Sequence, residues 1–279
     1  MSSDFERVEY LRDEQYADER NLSSRVALHR MYSTNPEGWF RWVFDRLADR
    51  LADRLALTET SEVLELGCGE GGLWGENIER IPKGVHLTLT DFSPGMLDAS
   101  RSRLASRLPA ARFDVVDAQE IPFQDATFDI VIANHMLYHV PDIGRAIAEA
   151  RRVLKPDGFF HTSTNGRRHL IELDQLIRAH APVAQTPNPT RFFDLDNARD
   201  LLTREFADVK RDDYPDSLEV TDSLAVIRYL LSTSAQTSLT ELRVRDLRQA
   251  LDNQIALSGS FRITKETGLF TCHGRAAVG

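Results

Sequence analysis

Between residues 62 and 164, short continuous apolar runs alternate with segments whose apolar residues recur every three or four positions. The runs at 63–66, 85–90, 112–116, 128–133 and 159–163 have the length and composition of buried strands. The stretches 70–81, 98–108 and 143–154 read as helices. The last of these is closed by Lys155, Pro156, Asp157 and Gly158, where proline and glycine stop a helix and turn the chain into the next strand. Such alternation predicts an α/β, doubly wound, Rossmann-like sheet, whose ligand crevice lies outside the carboxyl ends of its strands.

The flanks follow a different rhythm. Phe40, Val43, Phe44, Leu47, Leu51 and Leu55 are spaced as on one face of a helix spanning 39–57, with Asp45, Asp49 and Asp53 on the other face. That four-residue period is helix geometry and not a solenoid repeat. Residues 1–36 mix Phe5, Tyr10, Tyr16 and Tyr32 with acids and arginines, as expected of helical segments outside the main core. Residues 1–57 are therefore expected to form a helical N-terminal lid, and 58–279 the main domain. After the fifth strand, 165–180 reads as a helix bearing Leu170, Leu173, Leu176 and Ile177, followed by a proline-rich break at 182–189 and a second helix at 195–206. Extended runs follow at 206–220 and, on either side of Gly268, at 258–272. Amphipathic helices at 222–231 and 239–257 are inserted between them. The helical insertions near 166–190 and 221–258 either roof a substrate pocket or merely extend the core or make a dimer contact.

Composition narrows the function. The 279 residues are 42% hydrophobic and 28% charged, enough to bury a full core. With 34 basic against 43 acidic residues, the net charge of -9 argues against a partner bound by phosphate neutralisation, and points from nucleic acid to a small molecule. The N-terminus shows no signal pattern and no apolar run reaches about 20 residues, so a cytoplasmic location without membrane contact is expected. Two cysteines are too few for a disulfide framework or a zinc cluster, and no metal site is expected. Cys68 reads as a small residue packed under a tight turn. Monomer and homodimer are equally compatible with the sequence.

The candidate chemistry lies at the ends of the expected strands. The first runs into Gly67, Gly69, Gly71 and Gly72, with Glu65 two positions before the first glycine. A carboxylate there repels a diphosphate and attracts an ammonium or sulfonium. The same glycines also satisfy G-x-G-x-x-G, a pattern shared with dinucleotide enzymes. Asp91 ends the second strand, 19 positions after Gly72, where a carboxylate can accept both hydroxyls of a ribose. Asp117 and Ala118 follow the third strand, where a carboxylate and a backbone donor can read an adenine. Asn134 ends the fourth.

These residues occur in a recognisable series: Val63-Leu64-Glu65-Leu66-Gly67-Cys68-Gly69, Leu89-Thr90-Asp91-Phe92-Ser93-Pro94, Val116-Asp117-Ala118, Phe128-Asp129-Ile130-Val131, Leu137-Tyr138-His139-Val140 and Val153-Leu154-Lys155-Pro156. In that order and spacing the chain resembles class I S-adenosylmethionine-dependent methyltransferases, in particular the small-molecule group similar to the ubiquinone and menaquinone biosynthesis enzymes. The resemblance covers about residues 62–164. It implies a seven-stranded, mostly parallel sheet whose last two strands come from 206–220 and 258–272, one of them antiparallel. It also implies S-adenosylmethionine as cofactor, with S-adenosylhomocysteine as product.

Residue by residue, the resemblance places the backbone of Gly67 and Gly69 against the methionine portion, with Glu65 helping to hold its ammonium. Asp91 would bind the ribose, Phe92 and Met96 line the adenine side, and Asp117 and Ala118 contact the base. The carbonyl of Asn134 would lie near the ammonium, and His135 and Met136 near the transferred methyl. The implied activity is methyl transfer to a natural-product or quinone-like small molecule. His135 and His139 are the candidate bases, since both follow strand four and histidine titrates near neutrality; His139 also fits a helix-entry residue bonded to backbone. Tyr10, Tyr16, His29 and Trp39 reach the crevice if the N-terminal segment closes over it, and Arg167, Arg168, Arg191 and Lys265 can orient an acidic acceptor. Two other readings stand beside this one. The first is an S-adenosylmethionine-binding sensor, decarboxylase or cyclase. The second is an NAD-dependent dehydrogenase, which leaves Glu65 and Asp117-Ala118 unexplained.

Overall fold

The computed structural model describes residues 19–48, 50–51, 54–55, 57–180, 189–233 and 239–276. The strands are β1 (Glu62–Leu66), β2 (His86–Asp91), β3 (Arg112–Val115), β4 (Phe128–Asn134), β5 (Leu154–Asn165), β6 (Asp208–Asp213), β7 (Ser217–Val220), β8 (Phe261–Thr264) and β9 (Thr267–His273). Seven form one sheet in the order β3-β2-β1-β4-β5-β9-β6. The first five are parallel, and β9 runs antiparallel to both of its neighbours. The helices are α1 (Glu19–Tyr32), α2 (Trp39–Ala48), α3 (Gly72–Glu76), α4 (Pro94–Leu104), α5 (Ile143–Val153), α6 (Ile171–His180), α7 (Ala198–Leu202), α8 (Ser223–Leu231) and α9 (Glu241–Ser258).

The continuous apolar runs have a simple cause. Successive side chains point to opposite faces, and both faces of the central strands are covered. Leu64, Leu66, Val131 and Ala133 face one core with Ala146, Ile147 and Ala150 of α5. Val63, Ile130 and Ile132 face the other, with Trp42, Phe44 and Leu47 of α2 and Leu73 and Trp74 of α3. Local signals set the helix starts: the Ser93 hydroxyl accepts from Met96 N–H ahead of α4 (3.4 Å), and the Asp142 carboxylate accepts from Arg145 N–H at the start of α5 (2.9 Å). Residues 155–158 bulge out of β5, since Leu154 pairs with Phe128 and Phe159 with Ile130.

A third core stands apart from the sheet. Leu28 of α1, Leu173 and Ile177 of α6, Val226 and Leu230 of α8, and Leu247 and Leu251 of α9 close around the antiparallel ribbon of β7 and β8. The first helical stretch is thus divided: α1 belongs to this cap, whereas α2 belongs to the sheet.

Several expected boundaries move. The helix expected over 70–81 is the short α3 and a 3-10 turn at Ile78–Arg80, because Asn77 ends α3 by donating to the Leu73 carbonyl (2.8 Å). The helix from Trp39 stops at Ala48, and Arg50–Leu51 pairs antiparallel with Arg54–Leu55; a leucine period carries no end signal of its own. β5 continues through Asn165, which pairs with Thr267, so α6 begins only at Ile171. Gly268 is not a turn. It lies inside β9 opposite Thr164 and Asp213, and the change of direction falls at Lys265 and Glu266, where the chain passes from ribbon to sheet. Tyr10, Tyr16 and most of the proline-rich break lie outside the described residues. Among the described residues no helix is long and apolar enough to cross a membrane.

Ile132, fully buried in the centre of β4, tests the two-faced packing. Ile132→Ala is expected to cost about 2–5 kcal/mol through lost transfer energy and an unfilled cavity, read as a lower urea midpoint with unchanged slope.

Candidate active site

The parallel order brings the carboxyl ends of β2, β1 and β4 side by side, with the strand order reversing between β1 and β4. At the end of β1, Gly67, Gly69 and Gly71 take φ values of +66°, +54° and +71°, which a side chain would strain. A Cβ on Gly67 would also stand 2.8 Å from the Cβ of Met136, so Met136 packs flush on the glycine loop. The loop is tied to β2 twice: Cys68 N–H donates to the Thr90 carbonyl (2.8 Å) and Gly69 N–H to Oδ2 of Asp91 (2.9 Å). The other Asp91 oxygen accepts from Ser93 N–H (2.8 Å). Burial raises the Asp91 carboxyl above its ordinary range, against the pull of these N–H groups. Beside it Phe92 is 37% exposed, whereas Met96 is 2% exposed at the foot of α4.

Glu65 lies deeper. Its Oε2 accepts from the Trp74 indole N–H (2.6 Å), and burial pushes its carboxyl up to about 7, with the Asp91 charge adding and the indole opposing. Cys68 is buried and its thiol is raised well above the ordinary value by burial, which fits a packing role. Asp117, after β3, accepts from Gln119 N–H (2.8 Å) beside the buried Ala118.

At the end of β4 the Ser163 hydroxyl donates to Asn134 Oδ1 and accepts from His135 N–H (3.0 Å). His135 is thereby held at φ +55°, in the left-handed region. Its ring centroid is 5.0 Å from that of Trp39. Its Nδ1 is buried without a hydrogen bond, and burial, then Lys265, lowers its pKa to about 3. His139 falls in the 3-10 turn Leu137–His139, where its N–H donates to the Met136 carbonyl (2.9 Å) and its ring lies 4.6 Å from Tyr138.

The cap brings the candidates His29 and Trp39 against residues that sequence reasoning missed: His169, which follows β5, lies 6.1 Å from His29 of α1, and Tyr214 packs 5.3 Å from Trp39. The carboxylate of Asp216, just ahead of β7, pairs with Lys265 and accepts from Ser33 Oγ (2.8 Å) and the N–H groups of Thr34 (3.1 Å), Asn35 (3.2 Å) and Ser217 (2.8 Å). Ser163, His169, Tyr214 and Asp216 carry no sequence signal because each acts through a partner distant along the chain, and Trp74 stands nine residues from Glu65, a spacing no motif marks. Arg167 bonds Asp194 (3.0 Å) and Arg168 lies 3.9 Å from Glu266 at the surface, whereas Lys265 is buried in the cap.

Comparison with known proteins gives this geometry its family. Residues 64–162 match the methyltransferase domain family model. A malonyl-[acyl-carrier protein] O-methyltransferase of Enterobacter lignolyticus is 31% identical over 203 residues, spanning 70% of this chain and 76% of that protein. The chain belongs to the class I S-adenosylmethionine-dependent methyltransferases. A protein of the same name from Geobacter sulfurreducens is 32% identical over 149 residues, covering 52% of this methyltransferase chain and 55% of the relative. Phosphoethanolamine N-methyltransferase 2 of Haemonchus contortus, solved with phosphomonomethylethanolamine and S-adenosylhomocysteine, superposes with a TM-score of 0.58 at 16% identity. That superposition covers 95% of this chain and 59% of the other, and is a likeness of fold. The α/β class and the seven-stranded, mostly parallel methyltransferase sheet expected from the sequence are those observed.

The buried Glu65 makes stability depend on pH in this methyltransferase. Its carboxyl binds a proton more readily folded, at about 7, than at its ordinary 4.5, so stability falls as pH rises through that window. Glu65→Gln keeps an acceptor for Trp74 and removes the titration. The difference between the variant and the parent should grow in the variant's favour by up to about 3 kcal/mol across the window, measured by urea unfolding. Parallel pH profiles would sink this account.

Proposed function

We propose that this methyltransferase transfers a methyl group from S-adenosylmethionine to a small-molecule acceptor of natural-product or quinone type. The observation that carries the reading is the coupling of Gly69 and Asp91 across the ends of β1 and β2, next to the β1/β4 reversal and the ring cluster of His135 and Trp39. The donor set suits the cofactor: both Asp91 oxygens accept from backbone N–H groups, and a carboxylate engaged this way keeps acceptor capacity for ribose hydroxyls. Phe92 offers an exposed flat face for the adenine, and the glycine loop offers backbone free of side chains. Asp117 and Ala118 serve the base, with Met96 packed beneath, and Asn134 and Glu65 supply negative polarity near the methionyl ammonium. S-adenosylmethionine supplies an activated methyl group and a leaving thioether that departs neutral.

The protein's own task is then to orient and to exclude water. Met136 and His135 border the reaction space, and the residue 33–39 segment closes it from above through its bonds to Asp216. Of the N-terminal region expected to form a lid, α1 and the residue 33–35 turn act so in this reading, as part of the cap, while α2 is part of the sheet core. Orientation of two reactants is worth up to about 7–11 kcal/mol, more than the roughly 10²- to 10⁴-fold supplied by a general base.

Calorimetric titration with S-adenosylmethionine, S-adenosylhomocysteine and NADH tests the reading before any acceptor is known. Binding of the two adenosyl compounds alone is expected. In Asp91→Ala their affinity should fall by about 1.5–3 kcal/mol, the worth of hydrogen bonds to a charged group. Binding of NADH alone, or an unchanged affinity in the variant, would refute the assignment. Methylated product, once an acceptor is found, separates transfer from a sensor, decarboxylase or cyclase.

A further inference from the structure

Three buried ring nitrogens in one cluster make no hydrogen bond: Nδ1 of His29, Nε1 of Trp39 and Nδ1 of His135. An unsatisfied buried polar group costs about 1–3 kcal/mol, so three together mark a place built for a ligand. They arrive from α1, α2 and the end of β4, and thus from both the cap and the sheet. The Lys265 charge reaches both His29 and His135, and the two histidines reach each other.

We propose that His29, Trp39 and His135, backed by Lys265, form the acceptor subsite, and that it selects an acceptor bearing an oxyanion over one bearing a cationic amine. This rests on the methyltransferase reading of the same site. The indole N–H of Trp39 can only donate, and each histidine Nδ1 donates in one of its tautomers, so the cluster offers donors to an oxygen. An ammonium meets only a histidine Nδ1 in its other tautomer, and the Lys265 charge repels it. Asp216, the carboxylate facing the cluster, is already engaged by Lys265, Ser33 and three backbone N–H groups. His169 Nδ1 already accepts from Glu266 N–H (3.3 Å). Burial, the largest effect, and Lys265 hold His29 and His135 neutral, with Asp216 opposing them at His29, so a bound anion meets N–H donors and a carboxylate already compensated by Lys265. An ionised oxygen also presents its lone pair at once, with no proton to remove.

The test uses the full chain loaded with S-adenosylhomocysteine and follows binding of benzoate, 4-nitrophenolate, benzylamine and benzyl alcohol by ligand-observed NMR. One or both anions should bind more tightly than the amine and the alcohol, and their order distinguishes a carboxylate from a phenolate acceptor. Trp39→Phe, which keeps the ring and removes the N–H, should weaken anion binding by at least about tenfold with S-adenosylhomocysteine affinity unchanged. His29→Phe removes a second donor and should show the same loss if Trp39→Phe unfolds. Equal binding of benzylamine, no binding of either anion, or unchanged anion affinity in the folded variants overturns the subsite. Failure of S-adenosylhomocysteine itself to bind overturns the underlying methyltransferase reading.

Discussion

The arrangement of this molecule depends on one buried charge. The Asp216 side chain is fully buried, and an isolated carboxylate there would be costly unless paired and hydrogen-bonded. Burial alone would raise its pKa, but Lys265 and Ser33 outweigh that and hold it low, so it stays ionised. Its partners come from the turn after α1, from the start of β7 and from the link between β8 and β9. Satisfying the charge therefore fixes the N-terminal segment, the cap ribbon and the last inserted strand of the sheet to one another. Because β9 pairs with β5, and β5 carries the Ser163 that holds Asn134 and His135, the same constraint reaches the end of β4.

The sheet and the glycine loop were legible in the sequence because their causes are local. Apolar runs identify strands buried on both faces, and Gly67, Gly69 and Asp91 stand where strand ends require them. The cap was legible only as amphipathic helices. Its defining bonds join Ser33 to Asp216 across 183 positions, Glu172 to Thr264 across 92 and Lys265 to Asp216 across 49. No periodicity encodes such pairings. Gly268 shows how composition misleads: a glycine between extended runs signals a turn, yet here it gives room within β9 to Leu195 and Asp213, whose atoms a Cβ would approach at 3.0 and 3.1 Å.

Glu65 shows the same limit on the scale of a single side chain. Its position before the glycines says that negative charge belongs near the loop, but not that an indole nine residues later will donate to it. With burial raising it to about 7, Glu65 is partly protonated near neutrality. An approaching ammonium would favour the ionised form, which couples cofactor occupancy to a proton.

His135 invites a catalytic reading by position, and electrostatics changes the role it can fill. A histidine held near 3 by burial and Lys265 is neutral at physiological pH and a weak base, far from the matched pKa that general-base catalysis favours. What it offers is a fixed direction: its backbone is pinned by Ser163 and its ring sits against Trp39. Methyl transfer from a sulfonium has an activated carbon and a neutral leaving group, so the larger gain lies in alignment and in keeping water out. A rigid, dry cluster of neutral donors suits that task best when the acceptor arrives already ionised. On this view the cap and the weakly basic histidine belong together: the burial that deprives His135 of its basicity also gives the reaction space its order.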